Sequence, residues 1–326
     1  LEKRVRVGVD VGGTFTDFVL VDDHRGLVFT GKRLTTPDDP SRAVTDGLAP
    51  LLGLAGLDMG RVDGVVHGTT LVANTVIERK GAKVGLIATK GFRDSLEMGR
   101  EIRYDLYDLF FEKAAPLVPR RFRREVAERI DAEGTVLIPM DERELKAVAR
   151  GLVAEGVEAI AICFLHSYRN DAHEKRAKAI IEKEFPGLPV TLSSEIAPEI
   201  REFERASTAA ANAYVQPMTE RYLGRLEQKL ADLGLAGRLS IMLSGGGITT
   251  VRAARRFPIL VIESGPAAGA MAAAHYARLL GGGSVVSFDM GGTTAKMCLI
   301  EKGAPERAHE FESGRVKRFR KGSGLP

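Results

Sequence analysis

Apolar and polar residues alternate through Val5–Val11, Phe15–Val21 and Leu27–Arg33, with Gly-Gly between the first two runs. A period of two predicts three strands. Short apolar runs and helical stretches then take turns: strands at Val65–His67 and Val84–Ala88, helices at Ser41–Leu52 and Leu71–Arg79. Asp141 followed by Glu144 is a capping box that starts a helix running to Ala154. Val157–Phe164 reads as a buried strand and Ala172–Glu184 as another helix, a rhythm that predicts an α/β sheet. Pro186, Gly187 and Pro189 mark a turn. From Arg201 the pattern changes. Residues 201–234 are helical, with Leu223, Leu226, Leu230 and Leu233 on one apolar face and Pro217 expected to kink or break the helix. Strands return at Leu239–Leu243, Ile259–Ile262 and Val285–Met290. We therefore expect a boundary near residue 200, with domains over 1–200 and 201–326.

Composition narrows this picture only modestly. A length of 326 residues allows two domains with their own cores. At 44% hydrophobic and 28% charged the chain reads as an ordinary globular one rather than disordered. A net charge of +4 is too balanced to argue for nucleic acid. The one basic run (Arg315, Lys317, Arg318, Arg320, Lys321) is expected to be a solvated strand face. Cys163 and Cys298 sit in apolar runs without metal or redox spacing, so buried reduced thiols and a cytoplasmic location are expected. No apolar stretch reaches the roughly 18–20 residues of a membrane helix, and the start does not read as a signal peptide. The chain begins at Leu1 without methionine and stops at Pro326, so a fragment is expected.

The strongest signal is internal. "VGVDVGGTFTDFVLVD" (Val7–Asp22) and "VVSFDMGGTTAKMCLI" (Val285–Ile300) share a strand, an Asp, an apolar residue, Gly-Gly-Thr and a second strand. Asp10 corresponds to Asp289, and Gly12-Gly13-Thr14 to Gly291-Gly292-Thr293. Glycine supplies the positive φ expected at a tight tip and lets backbone N–H groups close on phosphate oxygens. The threonine hydroxyls (Thr14, Thr16, Thr293, Thr294) add donors. The aspartates can hold hydrated Mg²⁺. Two carboxylates at one triphosphate repel by about 4 kcal/mol at 4 Å and an effective dielectric near 20, so Mg²⁺ is implied if both loops face one nucleotide. "SGPAAGAMAAAHYA" (Ser264–Ala277) precedes the second loop as a small-residue helix. There Gly265, Ala268 and Ala272 would admit another backbone, unless the helix is simply buried and Ala-rich.

With the paired loops placed, the chain resembles the actin, heat-shock-70 and sugar-kinase superfamily. Within it, the chain is similar to the hydantoinase A and 5-oxoprolinase family. The resemblance rests on "GVDVGGTFTDFVLVD", "HGTTLVANTVIERKGAKVGLIATKGFRDSLEMGRE" (His67–Glu101), "REFERASTAAANAYVQPM" (Arg201–Met218) and "SFDMGGTTAK" (Ser287–Lys296). It implies an actin-like (ribonuclease H-like) α/β ATPase fold, one domain complete and the second begun but truncated. It also implies ATP-dependent opening of a cyclic amide such as 5-oxoproline or a hydantoin through phosphorylation of the ring carbonyl, or carboxylation in an acetone-carboxylase branch. ATP and Mg²⁺ are the implied cofactors, and a hydantoinase B-type subunit in a hetero-oligomer the implied partner. Asp10, Gly12, Gly13, Thr14 and Thr16 would hold phosphate and Mg²⁺ from the first loop. Asp289, Gly291, Gly292, Thr293 and Thr294 would do so from the second. A small-molecule kinase and a non-catalytic nucleotide-binding module are the rival readings.

On the substrate side, His67-Gly68-Thr69-Thr70 runs from a strand into a helix carrying Asn74. Thr69 and Thr70 can donate to an anion there, and His67 can serve as acid or base. The alternative is that His67 and Thr69 simply cap the helix. Arg93 and Arg100, seven apart, would share a helical face and clamp a carboxylate. Salt bridging with Asp94, Glu97 and Glu101 is the competing explanation. The other histidines, His166 and His173 included, share no spacing and receive no role.

Overall fold

The computed structural model describes residues 4–290, 295–308, 310–317 and 320–326. It comprises two compact units, each made of two separate stretches of chain. One is Leu1–Asn74 with Thr219–His309, the other Thr75–Met218 with Glu310–Pro326.

The first unit opens with β1 (Val5–Val11), β2 (Phe15–Asp22) and β3 (Leu27–Leu34), an antiparallel meander. Strict alternation drives it: Val5, Val7, Val9 and Val11 face the core, while Asp10 lies on the other face. α1 (Pro40–Ala55) follows, capped by Asp39, which accepts from the Ser41 N–H. β4 (Gly64–Thr69) then lies parallel to β1, and α2 (Leu71–Ile77) leaves its end.

The second unit carries β5 (Val84–Thr89), the short α3 (Ser95–Met98), β6 (Arg123–Val126), and a small hairpin of β7 (Arg129–Ile130) and β8 (Val136–Ile138). α4 (Glu142–Ala154), β9 (Ala159–Cys163), α5 (Ala172–Glu184), β10 (Val190–Leu192) and α6 (Ser193–Ile196) complete its main run. Its sheet is parallel in the order β10-β9-β5-β6. β5 and β9 are buried along their whole length, as strands covered on both faces must be. Asp141 caps α4 as expected, but Glu144 accepts from Ala127 N–H, so only half of the capping box closes. His173, given no role from sequence, pairs with the buried Glu128 at 2.7 Å.

α7 (Glu202–Asp232) is one helix running through Pro217. The proline does not break it: Ala209, Ala213, Leu223, Leu226 and Leu230 are buried on either side, and that packing outweighs the roughly 3 kcal/mol a mid-helix proline costs. The chain then returns to the first unit with β11 (Arg238–Met242), β12 (Ile248–Thr250), α8 (Val251–Arg256), α9 (Ser264–Leu279), β13 (Val285–Met290), β14 (Ala295–Glu301) and β15 (Ala304–Pro305). β11 joins β4 in parallel, giving the sheet order β12-β11-β4-β1-β2-β3. A three-stranded meander extended by two parallel strands is the ribonuclease H-like arrangement expected of an actin-like half. The first core joins Val7, Val9, Leu20, Leu48 and Leu51 to Leu226, Leu230 and Ile241.

Three expectations fail locally. Ile259–Ile262 is not a strand, because Pro258 starts a 3-10 turn over Pro258–Val261. The buried stripe of α9 is Ala270, Ala274 and Ala277 rather than Gly265, Ala268 and Ala272. The basic run is irregular, three of its charges answered by carboxylates: Arg315 by Glu312, Lys317 by Asp108 and Lys321 by Glu310.

Candidate functional site: two matched hairpins in the first unit

The two hairpins pair residue for residue. Asp10 stands opposite Asp17 and Val11 opposite Thr16; Asp289 stands opposite Lys296 and Met290 opposite Ala295. The repeat seen in the sequence is thus a repeat of register. Gly291, Gly292, Thr293 and Thr294 lie outside the described residues.

Asp10 sits at the C-terminal end of β1, beside the end of its parallel neighbour β4, where open α/β sheets place ligands. Two glycines wall it. A Cβ on Gly68 would stand 2.8 Å from an Asp10 carboxylate oxygen, and one on Gly265 would stand 3.4 Å from both. Gly265 belongs to the first turn of α9, which Ser264 ties to β4: its hydroxyl donates to Thr69 O and accepts from Thr69 N–H, each at 3.1 Å. The carboxylate keeps open surface, yet enough protein surrounds it to raise its pKa. Desolvation is the main cause, followed by repulsion from Asp17 and then Asp289. Such crowding of negative charge favours a cation. Among the described residues no three His, Cys, Asp or Glu side chains stand close enough to hold a metal by themselves. Mg²⁺ fits here only as a shared ion, completed by water and phosphate.

Several expected roles change. Neither Gly12 nor Gly13 takes a positive φ. Their value is space: a Cβ on Gly12 would press on Phe15 O at 3.0 Å, and one on Gly13 would meet Asn74 Nδ2 at 3.4 Å. Thr14 is exposed at the tip, whereas Thr16 is buried on the core face and hydrogen-bonded to Thr35 Oγ1 at 3.0 Å. Thr16 therefore braces the hairpin and points away from the Asp10 face. His67 is likewise in the core, its Nε2 3.0 Å or less from Tyr222 OH (2.9 Å). Its Nδ1 lies by the Val9 backbone without a well-formed hydrogen bond. Burial lowers its pKa to about 4, so the ring is neutral and away from any solvent-borne substrate. Thr69 caps α2, accepting from Leu71 N–H at 3.1 Å; Thr70 N–H donates to Val11 O at 3.0 Å; Asn74 Nδ2 approaches Thr70 Oγ1 at 3.4 Å. Sequence reading overlooked Asp17, Glu263, Ser264 and Lys296. Asp17 and Lys296 lie inside the repeated motif and Ser264 opens the small-residue helix, whereas Glu263 carried no visible signal.

A model of the hydantoinase/oxoprolinase N-terminal region matches residues 6–185, and one of the hydantoinase/oxoprolinase family matches residues 205–320. The chain belongs to this family. It is 41% identical to an uncharacterised protein of Methanocaldococcus jannaschii, over 98% of this chain and 48% of that one. It is 36% identical to caprolactamase subunit alpha of Pseudomonas jessenii (93% and 44%) and 30% identical to 5-oxoprolinase of Saccharomyces cerevisiae (95% and 27%). Among solved structures, nucleotide-free acetone carboxylase aligns with a TM-score of 0.83 at 30% identity, covering 93% of this chain and 44% of that one. The ATP-dependent caprolactamase of Pseudomonas jessenii aligns at 0.82 and 37%, covering 90% and 43%. The chain thus spans less than half the length of these relatives, and its fold is the actin-like α/β fold of hydantoinase-family ATPases.

Arg93 and Arg100, read from their spacing as a carboxylate clamp, lie in the second unit, and they do not share a helix, since α3 ends at Met98. Arg93 lies 3.9 Å from both Asp94 and Glu125. Arg100 is held by Glu204 and, at 2.6 Å, by Glu310, and these carboxylates raise its pKa further. It lines a cavity of about 720 Å³ with Leu96, Ile102, Phe203 and Ser207. The guanidinium is already engaged there, though by Glu204 and Glu310 and not by the expected Asp94, Glu97 or Glu101. Cys163 is buried, which raises its thiol to about 11; Cys298 is only half-buried, against expectation. Among the described residues no helix is long and apolar enough to cross a membrane.

Proposed function

We propose that the chain is the nucleotide-binding part of an ATP-dependent enzyme that opens a cyclic amide, acting beside a B-type subunit in a hetero-oligomer. The carrying observation is the pair of hairpins in identical register, each with an aspartate one residue before the end of its first strand, with Asp10 crowded by Asp17 and Asp289. Asp10 and Asp289 would hold Mg²⁺ through its water shell, and the N–H groups of Gly13 and Thr14 with the Thr14 hydroxyl would receive phosphate, while the Gly12 N–H closes the turn on Phe15 O at 2.9 Å. Magnesium would neutralise phosphate charge. Transfer of the terminal phosphoryl group to the ring carbonyl oxygen, with ADP leaving, would make the ring carbon a better electrophile for water. The ring C–N bond would then break with a proton passing to nitrogen, and a second water would release phosphate from the acyl phosphate. Relatives named as a caprolactamase subunit and a 5-oxoprolinase support this reading. The two family models meet near residue 200, at 6–185 and 205–320, whereas the compact units interleave the chain on either side of it.

The structural likeness to acetone carboxylase favours a second reading, a subunit of an ATP-dependent carboxylase. Phosphate release by the purified protein distinguishes the two. Stimulation by 5-oxoproline, a hydantoin or caprolactam supports ring opening, and stimulation by acetone with bicarbonate supports carboxylation. ATP turnover indifferent to all of them would favour a nucleotide-binding module.

A further inference from the structure

The hairpins differ at one chemically decisive position. Residues directly opposite one another on antiparallel strands share a face, so Asp17 shares the face of Asp10 and Lys296 shares that of Asp289. The first hairpin thus sets a second carboxylate beside its aspartate, and the second sets an ammonium. Asp17 is engaged by Lys32 at 3.0 Å. Lys296 is engaged by Glu263, the residue immediately before α9. Both partners are partly shielded, with 28% of the Lys296 side chain and 17% of the Glu263 side chain exposed. The next two residues, Ser264 and Gly265, fasten α9 to Thr69 and abut Asp10. Glu263 therefore anchors Lys296 at the helix start that borders the Asp10 site.

We infer that Lys296 is a triphosphate-binding cation that Glu263 competes for. The inference rests on the ATP reading above. A lysine ammonium is a compact point charge that binds phosphate oxygens without demanding a fixed fork geometry. A partly exposed lysine–carboxylate pair is weak enough to exchange partners. A triphosphate arriving among Asp10, Asp17 and Asp289 draws on every nearby cation, and Lys296 reaches it by leaving Glu263. The exchange also frees the residue that leads into α9, so the helix start beside Asp10 registers whether the triphosphate is present.

Calorimetric titration with MgATP and MgADP tests this on the purified protein and its Lys296→Met, Lys296→Arg and Glu263→Gln variants. Lys296→Met should weaken MgATP by tenfold or more and MgADP by less, and Lys296→Arg should retain most of the affinity. Glu263→Gln should tighten MgATP several-fold, because the competitor loses its charge. A merely structural ion pair predicts the opposite sign, with Glu263→Gln weakening binding alongside Lys296→Met. That outcome, or parental affinity in Lys296→Met, overturns the inference while leaving the ATP reading intact. If the parent protein itself fails to bind MgATP, both fall. Should Lys296→Met not fold, the sign of the Glu263→Gln change decides.

Discussion

β1 and β2 around the first hairpin pair as β13 and β14 do around the second, yet their surroundings are opposite. Val5, Val7, Val9, Val11, Phe18 and Leu20 are buried, whereas Val285, Val286, Phe288, Met290, Met297 and Leu299 stand largely in solvent. The same strand register forms with a six-stranded sheet and two helices behind it or with a three-stranded sheet. Register is therefore written locally, in the two β-runs, while stability comes from what covers the strands. Asp10 is retained against desolvation and like-charge repulsion, as expected of a group kept for a ligand.

Leu20 and Leu299 occupy equivalent positions and give the sharpest test of unequal packing. Leu20 is 0% exposed and Leu299 is 37% exposed. Leu20→Ala should cost about 2–5 kcal/mol, the range for emptying a core leucine site. Leu299→Ala should cost less than about 1 kcal/mol. Urea midpoints of the two variants check this, and equal losses would mean that the second hairpin is buried in solution.

The first hairpin's core should also make that half sensitive to pH. His67, on β4 beside β1, has its pKa lowered to about 4 against an ordinary 6.5. The folded ring stays neutral while the unfolded ring takes up a proton, so stability should be full above pH 6.5 and fall as pH drops toward 4. Below that both states are protonated and the loss stops growing. A shift of this size corresponds to roughly 3 kcal/mol. Denaturation midpoints from pH 7 to 4 should show the slope in the parent and lose it in His67→Gln. An unchanged slope would assign the acid sensitivity to other groups.

Most elements were legible because periodicity is local: the β1–β2–β3 meander, α4 from Asp141 and α5 at Ala172–Glu184 lie where the pattern puts them. What failed depended on distant contacts. Burial against Tyr222, far along the chain, turned His67 from a candidate acid or base into a core residue. No pattern reveals that Leu1–Asn74 closes a core with Thr219–His309, because that pairing is tertiary. Gly12 and Gly13 do not take the left-handed φ expected of a tight tip; a Cβ on either would instead meet a close neighbour. Lys296 was visible beside the second loop, but its partner Glu263 was not.

The charge asymmetry of the hairpins gives a smaller effect. Asp10→Asn should raise the melting temperature slightly by relieving the desolvation and like-charge repulsion that raise its pKa, while shifting the Mg²⁺ requirement for ATP binding tenfold or more, about 1.4 kcal/mol. Asp289→Asn, on the solvent-open β13, should shift the Mg²⁺ requirement with less change in melting. Melting curves and Mg²⁺ titrations on the same preparations separate the two effects. Overlay of both variants on the parent Mg²⁺ curve would make the aspartates structural.

The smallest effect comes from making the first hairpin copy the second at one position. Thr16 stands where the second hairpin has Ala295. Thr35 Oγ1 donates to Gly12 O at 2.9 Å, so in its 3.0 Å contact with Thr16 it must be the acceptor and Thr16 the donor. Thr16→Ala removes that donor and a buried methyl, but Thr35 keeps its own bond to the hairpin backbone. The cost should therefore stay near 1 kcal/mol, the typical net worth of one hydrogen bond. MgATP affinity should not change, because Thr16 faces the core while Asp10 and Asp17 face the other way. A phosphate-binding Thr16 would show the reverse, a clear loss of affinity with little change in melting. Calorimetry and a melting curve on this one variant thus decide whether the second threonine of the first loop serves the nucleotide or the turn that presents it.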